Sequence, residues 1–208
     1  MNEVIEFFNT HETPEVAEYL LGMYVEHDTP QGKLGGYIVD CEAYLGPDDE
    51  AAHSFGLRKT PRLKAMYQKP GTIYLYTMHT HLILNMITRE VGLPQGVMIR
   101  GLEPAAGLEQ MIKNRNGKTG VALSDGPGKL VEALGIEKNL YGESIFSSAL
   151  HLVPEKRKYP RTVEKLPRVG IPNKGIWTDL PLRFTVKGNP YVTKQKKANI
   201  AENNGWRN

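Results

Sequence analysis

Near the N-terminus, apolar positions recur at helical spacing. Thr13-Pro14-Glu15 can open a helix, with Thr13 as cap and Pro14 at a position that needs no N–H. Val16, Ala17, Leu20 and Leu21 then fall on one face, and Gly22 offers a stop. The period next changes to two. Met23–Glu26 and Gly36–Tyr44 read as strands joined by a turn-rich run. Residues 71–84 (GTIYLYTMHTHLIL) alternate and are rich in β-formers, which predicts a hairpin with its tip near His79-Thr80. Gly96–Leu102, Leu150–Val153 and Leu182–Val186 read as further strands. Leu63–Tyr67, Pro104–Asn114 and Lys129–Leu134 read as helical. No repeat or low-complexity linker interrupts the pattern. The expected organisation is one mixed domain over residues 1–193, followed by a polar, flexible tail over 194–208 (KQKKANIAENNGWRN).

Composition changes this picture little. The 208 residues, 40% hydrophobic and 24% charged, suit an ordinary globular core. A net charge of +3 permits a polyanionic partner without requiring one. Cys41 is the single cysteine, so no internal disulfide forms, and a reducing cytoplasmic setting is expected. The opening MNEVIEFFNTHETPE lacks the apolar stretch of a signal peptide. No apolar run approaches the ~20 residues of a membrane helix.

The stretch with most chemistry is residues 41–54, CEAYLGPDDEAAHS. Strand alternation turns Glu42 and Tyr44 to one side and Cys41 and Ala43 to the other. A glutamate beside a tyrosine at a strand end can occupy a partly desolvated cleft and act as general base. The turn Gly46-Pro47-Asp48-Asp49 can bring His53 over the same cleft, with Asp48, Asp49 and Glu50 expected to be solvated. Glu42, Asp48 and His53 match no strong metal-ligand spacing, nor do His79 and His81, so no metal is expected. The residues alone leave open a base-catalysed hydrolase, a sugar hydrolase with a second acid at Asp48 or Glu50, and a binding protein with an inert pocket.

Residues 42–54 resemble the signature of the alkyladenine (3-methyladenine, methylpurine) DNA glycosylase family. The likeness continues in order through TPR (60–62), KPGT (69–72), YLY (74–76), IRGLEP (99–104), GPGK (126–129), RVGI (168–171) and PLRF (181–184). It covers the chain from about Thr13 to Val192. It implies an α+β fold: a single domain with a curved, mainly antiparallel sheet, flanking helices and a protruding β-hairpin. The implied partner is double-stranded DNA containing damaged purines, bound by a monomer without cofactor or membrane.

The resemblance also implies roles for particular residues. Glu42 is the expected general base for the attacking water, with Arg100 beside it. Tyr44, His53 and Tyr76 are expected to sandwich the flipped base, because aromatic faces hold electron-poor alkylpurines tightly. The backbone around Ala51 is expected to touch the base edge. Asn85 is expected to exclude undamaged guanine, with Met86 the competitor for that slot, since a one-residue slip exchanges strand faces. Met78 or His79 is the expected wedge that fills the emptied base stack. Arg58, in the basic run 58–66, and Lys129, after the glycines of GPGK, are expected phosphate contacts. Release of the base should leave an abasic site without strand cleavage. A catalytically silent damaged-DNA-binding protein is the alternative.

Overall fold

Two short helices open the chain in the computed structural model, which describes residues 1–208. The first, α1 (Asn2–Thr10), buries Val4 and Phe8, one turn apart, and was not expected from the sequence. The second, α2 (Thr13–Tyr19), matches the expected helix with a different cap. Glu12 is the N-cap, and its backbone N–H donates to the Glu15 carboxylate at 2.8 Å in a reciprocal capping box. Thr13 is instead buried, its Oγ1 bonding Thr88 Oγ1 and Gln95 Oε1 at 2.8 and 2.6 Å.

The sheet begins with β1 (Tyr24–Thr29) and β2 (Gly32–Tyr44), followed by the hairpin β3 (Ile73–Met78) and β4 (His81–Ile87), then β5 (Gly96–Ala106). Pro104 therefore lies in a strand, not at a helix start. It sits opposite Gly36 of β2, past the point where β4 stops pairing at Met98, so its missing N–H breaks no ladder. Gly107, at φ +73°, ends the strand, and α3 (Leu108–Asn114) follows. The remaining elements are α4 (Pro127–Ala133), β6 (Leu150–Val153), β7 (Val163–Leu166) and β8 (Arg183–Val186). The β7 strand was not anticipated from the sequence.

All strand pairs are antiparallel. The order is β3-β4-β5-β2-β1-β6, with β8 pairing both β2 and β7. One edge of β2 pairs first with β1 and then, at Asp40–Glu42, with β8. The other edge pairs with β5. Glu42 thus sits in the most enclosed part of the sheet. One core of 36 buried apolar residues joins α1, α2, α4 and the sheet, which makes the whole chain one α+β domain. No helix is long and apolar enough to cross a membrane.

The C-terminal segment does not fray as a polar tail. Two 3-10 turns, Lys197–Asn199 and Glu202–Gly205, lead Trp206 back to Tyr37 of β2, and the indole is buried. Its Nε1–H donates to the Glu103 carboxylate at 2.9 Å. A single buried indole with a charged acceptor outweighs the polar composition around it.

Candidate active site

Glu42 is fully buried on β2, and two hydrogen-bond donors and one guanidinium converge on its carboxylate. The Val169 N–H donates to Oε1 at 2.8 Å, and Arg100 Nη1 lies 3.2 Å from the same oxygen. The Tyr44 hydroxyl donates to Oε2 at 2.9 Å. Tyr44 can do this because residues two apart on a strand share a face. Arg100 owes its placement to a bulge. Opposite β5, Asp40 pairs with Gly101 and Cys41 with Ile99, so Arg100 has no cross-strand partner of its own.

Burial pushes the Glu42 carboxyl above the usual range, against the opposing pull of Arg100, the Val169 amide and the Tyr44 hydroxyl. Nearby Asp40 adds to the upward push but is itself paired, through Arg183 Nε and Nη2 at 2.9 and 2.7 Å. Arg100 keeps one buried donor, Nε, without a hydrogen-bond partner.

The three partners of Glu42 all face a cleft of about 170 Å³. Tyr44, Ala51, His53, Tyr76, Asn85 and Arg100 line it, so the structure gathers the sequence-predicted pocket residues in one place. Glu42 lies immediately behind this lining. Tyr76 stands edge-on to His53, with ring centroids 4.5 Å apart. Burial raises the Tyr76 phenol to about 12, and Tyr44 is also pushed well up, so both are neutral donors. Burial and the charges of Arg62 and Arg58 lower the His53 pKa, which leaves its imidazole neutral near pH 7.

The hairpin register turns Asn85, and not Met86, toward the cleft. Asn85 pairs with Tyr74 and lines the cleft, its Nδ2 donating to Tyr74 O at 3.2 Å, while Met86 is buried in the core. Met78 is exposed at the end of β3 and forms part of the cleft lining. Beyond it, His79 and Thr80 make the two-residue tip, with His79 at φ +54°. Gly128 packs beneath the tip: a Cβ there would come within 2.7 Å of the His81 Cβ, so α4 approaches β4 only because this residue is glycine. Arg58 and Lys129 lie outside the cleft lining. Arg58 is exposed, and Lys129 is already paired with Asp125 at 2.7 Å.

Several lining residues were not among those expected at the site. Tyr74, which reads as a packing residue, is buried and lines the cleft, its hydroxyl 3.0 Å from His53 Nδ1. Met66 and Met98 contribute apolar surface, and Val169, Gly170 and Ile171 form one wall. Asp49 overturns the expectation of a solvated turn. Asp48 and Glu50 are exposed, but Asp49 is fully buried and bound to Arg168.

The sequence has known relatives along its whole length. Residues 6–190 match the family model described as methylpurine-DNA glycosylase. A protein of Enterococcus faecalis strain V583, named "Putative 3-methyladenine DNA glycosylase", is 70% identical over all 208 residues and 91% of its own length. Two proteins of the same name are also similar. One from Staphylococcus carnosus strain TM300 is 46% identical over 98% of each chain, and one from Listeria monocytogenes strain EGD-e is 48% identical over 94% of each.

Proposed function

The chain belongs to the methylpurine-DNA glycosylase family, whose members hydrolyse N-glycosyl bonds, and from that premise we propose that it excises damaged purines from duplex DNA by a water that Glu42 activates. The substrates are alkylated or deaminated purines: 3-methyladenine, 7-methylguanine, hypoxanthine and ethenoadenine. The observation that carries this reading is a buried carboxylate held by two hydrogen bonds and an ion pair, whose three partners all face an aromatic cleft.

In the reaction the lesion leaves the duplex and enters the cleft among Tyr44, His53 and Tyr76, while Met78 or His79 occupies the space it vacates. Oε2 of Glu42 accepts one hydrogen bond from Tyr44 and retains a lone pair for a water proton. The water oxygen forms a bond to C1′ of the deoxyribose. The C1′–N bond breaks with its electron pair going to the purine. A cationic alkylated purine therefore departs neutral and needs no acid, whereas neutral hypoxanthine or ethenoadenine departs as its anion and takes up a proton from solvent to become the free base. Glu42 takes the water proton, and its charge offsets the positive charge that develops on the sugar. Arg100 and the Val169 amide favour the ionised form of Glu42 that this step requires. The products are free base and an abasic site. Asn85 disfavours the exocyclic amine of undamaged guanine, a penalty that the cationic ring of 7-methylguanine offsets by stronger stacking on the aromatic faces, and the exposed Arg58 and the half-buried Lys129 meet phosphates.

Single-turnover base release from duplexes carrying hypoxanthine or ethenoadenine, with EDTA present, tests the reading. Release by the parent and its loss in Glu42→Gln, with lesion binding retained, is the expected result. Equal release by the two proteins refutes Glu42 as the base.

A further inference from the structure

One buried ion pair lies outside the cleft lining yet is bonded to the segments that shape it. Arg168 and Asp49 have side chains with 0% exposure. Arg168 Nη1 and Nη2 grip the two Asp49 oxygens at 2.5 and 2.9 Å. The other Nη hydrogens donate to Ala43 O at 3.1 Å and Trp177 O at 3.3 Å. The guanidinium also lies 4.6 Å from the centroid of the Tyr44 ring. On the other side, the Asp49 carboxylate accepts the N–H groups of Leu45 and Ala51, each at 3.0 Å.

These contacts sort into two walls. Asp49 holds the turn that presents Ala51 and His53. Arg168 holds the strip Val169–Ile171, whose first residue donates its amide to Glu42. The only covalent step between Arg168 and that amide is one residue. For stability alone, an apolar pair of similar volume would serve as well or better, because burying two charges is costly. What the forked pair supplies is direction, since two parallel bonds fix the guanidinium plane against the carboxylate.

We propose that Arg168 and Asp49 are positioning residues: the pair ties the two walls of the cleft together and holds the Val169 amide on Glu42. The inference rests on the reading of Glu42 as the base. Neither residue touches the substrate. With the tie loosened, the 168–171 strip moves, Glu42 loses a donor that favours its ionised form, and the aromatic sandwich loses its fixed spacing through Tyr44.

Asp49→Asn tests this, since it keeps the shape and removes the charge of the acceptor. Two readouts are taken with the full chain. Hydrogen exchange of the segment spanning 168–171 reports the strip directly. Single-turnover base release from hypoxanthine-containing duplex, followed across pH, reports Glu42. The expected result is faster exchange, release slowed about 10- to 100-fold, and an acidic limb displaced to higher pH. A folded Asp49→Asn protein with parental exchange and a parental acidic limb overturns the proposal, whatever its melting temperature. Should Asp49→Asn fail to fold, Arg168→Lys takes the same measurements, because it leaves no lone buried charge but cannot form the fork. A parent that releases no base refutes the reading of Glu42 instead, and exchange in the two variants still decides whether the pair holds the strip.

Discussion

The backbone N–H of Val169 meets Oε1 of Glu42 at 2.8 Å, joining the C-terminal end of β2 to a loop 127 residues further along the chain. Nothing local to either segment specifies this bond. It forms because β8, which follows the loop, pairs with β2 at Glu42 itself, Arg183 opposite Glu42. The candidate base is therefore oriented by the last strand of the sheet to be synthesised, and its properties depend on complete closure of the fold.

The pH dependence of base release follows from that carboxyl. Burial raises its pKa, and Tyr44, Arg100 and the Val169 amide partly counter the rise. A general base works deprotonated, so release should fall as pH drops through a limb above the ordinary glutamate range. Tyr44→Phe removes one of the countering donors and should move the limb further up. Single-turnover rates measured against pH for both proteins check this. A limb that moves down in Tyr44→Phe contradicts the assignment.

The hairpin tip separates binding from chemistry. His79 is exposed at φ +54°, away from the donors on Glu42. His79→Ala should weaken binding to lesion-containing duplex by about 1–2 kcal/mol, roughly 5- to 30-fold in Kd. Release at saturating protein should change far less. His79→Gly, which relieves the left-handed backbone conformation, should show the same loss of affinity if the side chain is what fills the duplex. Fluorescence anisotropy with lesion and undamaged duplexes makes the comparison, and parental affinity in both variants removes the tip from the wedge role.

Local pattern made the hairpin, α2 and the strand bearing Glu42 legible, because each buries a face with a regular period. It also placed Tyr44 with Glu42. The features it missed depend on long-range closure. Asp49 reads as a solvated acid in a Gly-Pro turn and is buried only because Arg168 arrives from 119 residues away. Pro104 reads as a helix start, but its position opposite Gly36 keeps it in β5. The choice between Asn85 and Met86 turned on a one-residue register that the two-residue tip fixes in space and the sequence leaves open.

Trp206 should matter more to stability than its place in a polar tail implies. It is 3% exposed, packs near Tyr37 and donates to Glu103. Trp206→Ala should cost about 3–5 kcal/mol through lost burial and an emptied site. Trp206→Phe keeps much of the ring and loses the charged hydrogen bond, so its cost should be smaller, about 1.5–3 kcal/mol. Urea unfolding of the two variants gives the order, and equal, near-zero losses would mean the segment does not dock in solution.

The Asp40–Arg183 pair beneath Glu42 should show the asymmetry of buried charges. Both side chains are buried, and Asp40 also accepts the Thr193 N–H at 3.0 Å. Arg183→Met removes the cation and leaves a carboxylate in the core, at an expected cost of about 3–5 kcal/mol. Asp40→Asn combined with Arg183→Met removes the stranded charge as well and should recover part of the loss. Urea midpoints of the three proteins at neutral pH measure this, and a double variant no more stable than Arg183→Met would show that lost packing, not the stranded carboxylate, accounts for the cost.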